Sequence, residues 1–227
     1  MSVILHIETA TKNCSVALSK SGEVLGFKEH YSEQFSHSEQ LHGFIQDILK
    51  EAQMEMSALD AVAVSKGPGS YTGLRIGVAT AKGICFALDL PLIAVNSLQI
   101  LSEKYQDNNQ ALLFPMFDAR RMEVYVMVLN EKKDVVKPTF AEIVGDKSFK
   151  EFPINLPWIF MGEGAQKCKE VFYAPHIEYR IDMMYPSAIE MIPSAWRAFQ
   201  SKNFEDVAYF EPFYLKDFYT TAKKIGD

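Results

Sequence analysis

Cysteine is scarce in this chain of 227 residues, and its spacing gives no metal-binding pattern. The three cysteines, Cys14, Cys85 and Cys168, lie far apart, whereas zinc sites usually hold cysteine pairs about two to four residues apart. Each lies in a mostly apolar or helical stretch, which is typical of a buried free thiol. We therefore expect no metal centre built on cysteine.

Long hydrophobic runs are also missing. No apolar stretch approaches the roughly 20 residues that a membrane-spanning helix needs. The first segment, Met1 to Glu8, has no basic region and reaches an acid too early for a signal peptide. These absences predict a cytoplasmic protein without membrane contact.

The chain lacks a surplus of basic residues. Its 23 Lys and Arg stand against 29 Asp and Glu, which gives a formal net charge of −6. Domains that bind nucleic acid alone usually neutralise phosphates with a basic surface. We therefore expect no DNA binding and no tight RNA binding by the isolated chain. The short basic pairs are interpreted as solvated surface; they are Arg120-Arg121, Lys132-Lys133 and Lys223-Lys224.

Apolar residues make up 48% of the chain, which is enough for one large core or two small ones. In the first half they predict three strands joined by short connections, hence an antiparallel meander, followed by alternating helices and strands. The first helix has Ser36 as its cap and Glu39 three residues later, the pattern of a capping box. The predicted order is βββαβαβα, with strands at 3–7, 14–19, 24–27, 61–64 and 91–95, and helices from 36, over 72–88 and over 98–105.

The pattern partly restarts in the second half. An apolar strand at 111–117 ends in Asp118, much as the first strand ends in Glu8. Two such units predict a duplicated α/β domain, a layout that resembles the actin-like/sugar-kinase-like fold. We expect an N-terminal subdomain at 1–106 with the partner interface and a degraded C-terminal subdomain at 107–227. Its other predicted elements are strands at 123–129, 135–140 and 158–161, a helix through Phe172 and a helix at 187–200.

A glycine-rich loop lies between a predicted strand and the helix at 72–88. Glycines at a helix N-terminus can receive an anion. This loop lacks the Gly-Lys-Ser/Thr ending of a phosphate-binding loop, and Pro68 has no N–H to donate. It also lacks the glycines of a hydrolase nucleophile elbow around Ser70. We therefore favour a packing or interface role over a phosphate site for the loop residues Gly67, Pro68, Gly69, Ser70, Tyr71 and Thr72.

The helix that follows carries small residues at helical spacing, namely Gly73, Gly77 and Ala81. Such a face permits close approach of another helix, and we predict that the helix belongs to a partner. Arg75 lies one turn into the same helix. Two interpretations of Arg75 stay open: an exposed ion-pair partner, or a group that faces a nucleotide at a junction with the partner.

Five motifs, in order along the chain, resemble those of the TsaB family, also called YeaZ. The most specific is the Gly-Pro-Gly-Ser-Tyr-Thr-Gly-Leu-Arg-Ile-Gly sequence at 67–77. The others are Ile-Glu-Thr-Ala-Thr at 7–11, Ser-His-Ser-Glu-Gln-Leu at 36–41, Asp-Ala-Arg-Arg-Met-Glu-Val-Tyr at 118–125 and Glu-Pro-Phe-Tyr-Leu-Lys at 211–216. Glu8 and Lys216 depart from the family pattern, which has Asp and Arg there.

The resemblance implies two actin-like subdomains without a working active site. It implies pairing with TsaD, which holds the metal and transfers the threonylcarbamoyl group to adenosine in tRNA, and with the ATPase TsaE. It also implies a homodimer when TsaD is absent, tRNA contact only through partners, and no cofactor held tightly by this chain alone, although ATP or ADP can enter the complex. The expected interface residues are His37, Leu41, Phe44, Ile45, Ile48, Gly73, Arg75, Gly77 and Ala81.

Two other functions fit this fold less well. A metal-dependent peptidase of the former glycoprotease type needs two histidines at i and i+4 on a helix, but His37 and His42 are five residues apart. At about 100° per residue, their side chains would diverge by about 140°. A small-molecule kinase needs phosphate loops in both halves, and the second half offers only the short Gly162-Glu163-Gly164. We therefore predict no metal ligands and no catalytic residues.

Overall fold

The computed structural model describes residues 2–33, 37–107 and 109–216. The first sheet has the strand order β3-β2-β1-β4-β5. Strands β1, β2 and β3 form the expected antiparallel meander, while β4 and β5 run parallel to β1. The elements of this half are β1 (Val3–Glu8), β2 (Asn13–Lys20), β3 (Glu23–Tyr31), α1 (His37–Glu51), a 3-10 turn (Met56–Ala58), β4 (Ala61–Gly67), α2 (Tyr71–Leu88), β5 (Leu92–Asn96) and α3 (Ser97–Ser102).

The second sheet repeats this plan with the order β10-β9-β6-β7-β8. Its first three strands are antiparallel neighbours, and β9 and β10 extend it in parallel. The shared order confirms the predicted actin-like/sugar-kinase-like α/β fold of two similar units. The elements are β6 (Leu112–Asp118), β7 (Glu123–Asn130), β8 (Val135–Ile143), β9 (Trp158–Met161), α4 (Ala165–Val171), β10 (Ile177–Arg180) and α5 (Ala188–Gln200).

The second unit is degraded at one place. Where the first unit has α1 between its third and fourth strands, the second unit has turns at 144–157. Phe149 and Phe152 from this segment pack their rings against Phe114, each at a centroid distance of 5.4 Å. The aromatic side chains thus cover the sheet face that α1 covers in the first unit. Strand β10 was not predicted, because its four residues have no strong apolar pattern.

The predicted boundary between the subdomains was wrong at the C-terminal end. Helix α5 packs on the first sheet, where Met191 and Ala195 join a buried cluster with Ile4 and Ile93. The stretch after α5 also returns there, since Glu205 forms a β-bridge with Leu92. The first unit therefore contains residues 187–214 as well as the N-terminal segment. The order of the elements along the chain does not show that α5 and the stretch after it pack on the first sheet.

Each sheet is covered on both faces. One face of the first sheet packs against α1 and α2, and the other against α3 and α5. Helix α3 also contacts the second sheet, because Leu98 and Leu101 pack with Leu113 and Ile159. Helix α3 therefore joins the two units through apolar contact. Within the described ranges, no helix combines the length and the apolar character that crossing a bilayer requires.

Candidate partner-binding site and signature loop

The loop at 67–72, which we call the signature loop, is held by hydrogen bonds within the chain. The Ser70 N–H donates to the Ala10 carbonyl oxygen at 2.7 Å. The Ser70 hydroxyl caps α2 by accepting from the Gly73 N–H at 3.2 Å, and the Gly67 N–H donates to the Ser97 hydroxyl at 3.1 Å. A phosphate-binding loop aims backbone N–H groups of this kind at its ligand. Here the N–H groups of Gly67, Ser70 and Gly73 bind protein oxygens instead.

Glycine is required in this region because the β1–β2 connection lies against it. A Cβ at Gly69 would meet the Ala10 carbonyl, and a Cβ at Gly73 would meet the Thr9 carbonyl oxygen. A Cβ at Gly77 would collide with the Thr9 hydroxyl, which donates to the Gly73 carbonyl oxygen at 2.8 Å. The close approach predicted from the small residues is therefore present within the chain.

The predicted partner role of Gly73, Gly77 and Ala81 is corrected by this geometry. Gly73 and Gly77 face Thr9, and Ala81 is fully buried in the core of the first unit. A helical stripe shows which residues share a face, but it does not show what that face contacts. Here the contact is the protein's own sheet.

The same correction applies to most of the stripe on α1. Leu41, Ile45 and Ile48 are at most 2% exposed and pack in the core of the first unit, so their side chains hold α1 on its own sheet. Phe44 is only partly buried at the edge of that core. His37 is 1% exposed, and burial lowers the pKa of its imidazole. Ser36, the predicted cap of this helix, lies outside the described residues.

The faces of α1 and α2 that point away from the core carry small residues and one large apolar side chain. On α2, Ala79 and Gly83 are exposed, and Phe86 is exposed to 85% of its surface. A Cβ added at Gly83, or at Gly43 on the neighbouring α1, would meet nothing within 4 Å. At about 100° per residue, Phe86 lies about 180° around the helix from Gly77. We call Gly43, Ala79, Gly83 and Phe86 the outer face.

Arg75 lies next to this outer face. It is exposed, and its guanidinium carbon lies 4.2 Å from the centroid of the Tyr71 ring. The Tyr71 ring in turn lies 5.0 Å from that of Tyr214. Arg75 is therefore part of an aromatic stack at the start of α2, and both interpretations of its role stay predictions.

The acids that end β1 and β6 have opposite environments. Glu8 is completely buried, accepts a hydrogen bond from the Ala10 N–H at 2.6 Å, and has its pKa raised to about 8, chiefly by burial. Asp118 is exposed and pairs with Lys167 at 2.6 Å. In the part of the chain that the structure describes, no three His, Cys, Asp or Glu side chains are grouped as metal ligands. His37 is buried while His42 is exposed, so the two do not share one environment.

The closing motif at 211–216 contacts both units, which the sequence did not reveal. The Phe213 N–H donates to the Lys66 carbonyl oxygen at 2.7 Å, beside the signature loop. Lys216 forms an ion pair with Glu123, the first residue of β7. Motifs that are distant in sequence, at 67–77, 118–125 and 211–216, are thus close in space.

A family model described as "TsaD: tRNA N6-adenosine threonylcarbamoyltransferase" matches residues 32–224, which is most of the chain. A relative from Escherichia coli strain K12, named tRNA threonylcarbamoyladenosine biosynthesis protein TsaB, is 30% identical over 226 residues and covers 94% of both chains. This chain belongs to the TsaB family. A second TsaB, from Haemophilus influenzae, is 28% identical over 245 residues and covers 98% of this chain and 97% of its own.

A solved structure agrees with the sequence relatives. YeaZ from Pseudomonas aeruginosa superimposes with a TM-score of 0.83 at 26% identity, covering 95% of this chain and 100% of that one. Because the match spans both units, the TsaB family fold applies to the whole described chain. The family predicted from the motif at 67–77 is confirmed.

Proposed function

We propose that this TsaB-family chain acts in the cytoplasm as a non-catalytic subunit that pairs with TsaD, and through TsaD with TsaE, in threonylcarbamoyladenosine modification of tRNA. Its membership of the TsaB family supports the pathway, and the match to the TsaD model supports a partner of related fold. The chain contributes binding surface rather than reacting groups.

One observation carries the non-catalytic role. Three backbone N–H groups of the loop and helix start, those of Gly67, Ser70 and Gly73, bind protein oxygens, and Glu8 is a buried carboxyl group with its pKa raised to about 8. An acid that positions a metal–nucleotide has to be ionised and open to its ligand. A protonated, enclosed Glu8 suits a structural position at the end of β1.

The surface that we assign to TsaD is the outer face of α1 and α2. Its small residues let another helix approach closely, and Phe86 offers a large apolar side chain for burial in a partner. The same face would support the homodimer when TsaD is absent.

Reconstitution tests the proposed function directly. Modification of tRNA by TsaD and TsaE is measured with and without this chain. We expect turnover only when the chain is present, and no turnover and no micromolar ATP binding by the chain alone. Modification at an unchanged rate without the chain, or turnover by the chain alone, would refute the proposal.

The interface is tested with Gly83→Arg, which places a long charged side chain in open space on the outer face. We expect loss of pairing with TsaD in size-exclusion chromatography, together with an unchanged melting temperature of the variant. The matched control is Ile143→Glu, because Ile143 is 74% exposed on β8 of the second unit. Pairing that survives Gly83→Arg, or that is lost equally in the control, would contradict the assignment. Gly77→Arg is unsuitable as a test because Gly77 packs on Thr9.

A further inference from the structure

The last described stretch, residues 205–216, is held against the first unit by backbone contacts. The Glu205 N–H donates to the Leu92 carbonyl oxygen at 2.9 Å, at the start of β5. Further along, the Lys82 ammonium on α2 donates to the carbonyl oxygens of Ala208 at 3.2 Å and Phe210 at 2.8 Å. The stretch is therefore fixed at several points before it reaches the signature loop.

At the loop the stretch fits closely. The Phe213 N–H binds the Lys66 carbonyl oxygen at 2.7 Å, and a Cβ at Gly67 would lie 2.7 Å from the Phe213 carbonyl oxygen. The next residue, Tyr214, has its ring 5.0 Å from that of Tyr71. The glycine at 67 thus makes room for this stretch.

Two residues later the stretch contacts the second unit. Lys216 pairs with the Glu123 carboxylate, whose side chain is only 17% exposed. Glu123 is fixed in turn, because Lys167 donates to its carbonyl oxygen at 3.2 Å and to Asp118 at 2.6 Å. The ion pair therefore joins a segment anchored on the first sheet to an anchored residue of the second.

We propose that residues 205–216 form a strap that fixes the orientation of the two units relative to each other, with the Lys216–Glu123 ion pair as its latch. Helix α3 joins the units through apolar packing, and the Asn96 side-chain amide of β5 donates to the Thr139 hydroxyl of β8 at 2.9 Å. The strap is a further connection at the signature loop. Connections at different places restrict rotation that one connection would permit. The strap belongs to the isolated chain and requires no partner.

Single-molecule energy transfer between one dye on each unit measures this orientation. Dyes are attached at Ser57→Cys and Glu170→Cys, both of which replace exposed residues. The three natural cysteines are at most 1% exposed and do not compete for the dyes. The very low concentration used keeps the chain monomeric.

We expect a single narrow distribution of energy-transfer efficiency for the otherwise unchanged chain, and a broader distribution for Lys216→Met. A partly exposed ion pair of this kind should change the population of open orientations by about two- to fivefold. Glu123→Gln should have the same effect, and the double variant should be no broader than either single variant. Tyr214→Ala, which removes the ring contact with Tyr71, should broaden the distribution independently.

The control is Lys28→Met, because Lys28 pairs with Glu51 at 2.5 Å inside the first unit. Its distribution should stay narrow. If neither Lys216→Met nor Tyr214→Ala broadens the distribution, the strap is refuted. If only Tyr214→Ala does so, or if the effects of Lys216→Met and Glu123→Gln add in the double variant, the latch is refuted.

Discussion

Two ionisable side chains, His6 and Glu8, lie two residues apart on β1 and are completely buried. Burial lowers the pKa of His6 to about 3 and raises that of Glu8 to about 8. The His6 imidazole lies 2.7 Å from the Ser19 hydroxyl, and one Glu8 oxygen accepts from Ala10. Both groups are therefore uncharged in the folded protein at neutral pH, and they couple its stability to pH in opposite directions.

Glu8 makes the folded state less stable as pH rises. From its ordinary pKa of 4.5 up to about 8, the unfolded chain has lost the proton that folded Glu8 keeps. His6 acts in the opposite sense between about 3 and 6.5, so the two effects largely cancel between 4.5 and 6.5. Above pH 6.5 only the Glu8 effect remains, at about 1.4 kcal/mol per pH unit for a single group.

We predict that Glu8→Gln removes this loss of stability above pH 6.5. The variant should gain about 2 kcal/mol relative to the unchanged chain between pH 6.5 and 8, as a neutral amide does not ionise. Urea unfolding at several pH values measures the difference. If the free energies of unfolding of the variant and of the unchanged chain run parallel across this pH range, Glu8 is ionised in the folded protein.

Gly77 and Gly83 lie about 120° apart around α2 and form a matched pair for substitution by alanine. Gly77→Ala should destabilise the protein by about 1–3 kcal/mol, because the new Cβ overlaps the Thr9 hydroxyl. Gly83→Ala should stabilise it by about 0.5–1 kcal/mol, because the site is open and alanine favours helix. Urea unfolding measures the free energy of unfolding of both variants. Equal changes in the two variants would contradict the different environments of the two glycines.

At the scale of elements, helix α5 shows how a distant segment completes a core. Met191 is fully buried against the first sheet with Ile4 and Ile93. We predict that Met191→Ala lowers the free energy of unfolding by about 2–5 kcal/mol. Hydrogen exchange should quicken most at the amides of β1 and β5.

The control for this substitution is Ile181→Ala. Ile181 is 65% exposed, so the change should alter stability by less than about 0.5 kcal/mol. Faster exchange in the second sheet, with β1 and β5 unchanged, would contradict the placement of α5.

Most elements could be predicted because their signals are local. The apolar run of β1, the turn at 21–23 between β2 and β3 and the helical spacing of the apolar residues of α1 all lie within a few residues of the elements they define. The direction of the small-residue face on α2 could not be predicted, since Gly77 meets Thr9, which is 68 residues earlier in the chain. The ion pair between Lys216 and Glu123 was missed for the same reason.

The whole molecule consists of two sheets of equal strand order, yet its units are not independent along the chain. The core of the first unit includes Val207 and Phe210 as well as α5. We therefore predict that a fragment of residues 1–106 does not fold, because one face of its sheet keeps only the short helix α3 and loses α5. Joining residues 187–216 to this fragment by a flexible linker should restore the fold.

Circular dichroism and the dispersion of amide proton resonances measure this outcome. The linked form should show cooperative unfolding, and the fragment 1–106 should not. A fragment that unfolds cooperatively without residues 187–216 would refute the prediction.

The packing of α5 on the first sheet also affects how the chain folds during synthesis on the ribosome. The N-terminal sheet emerges first, but one of its faces is covered only by the short helix α3 until residues near 190 have left the exit tunnel. At about 5–20 residues per second, this interval lasts on the order of 5–20 seconds. During that time the apolar residues on this face are exposed and accessible to chaperones. A translation product truncated before α5 would keep the same residues exposed.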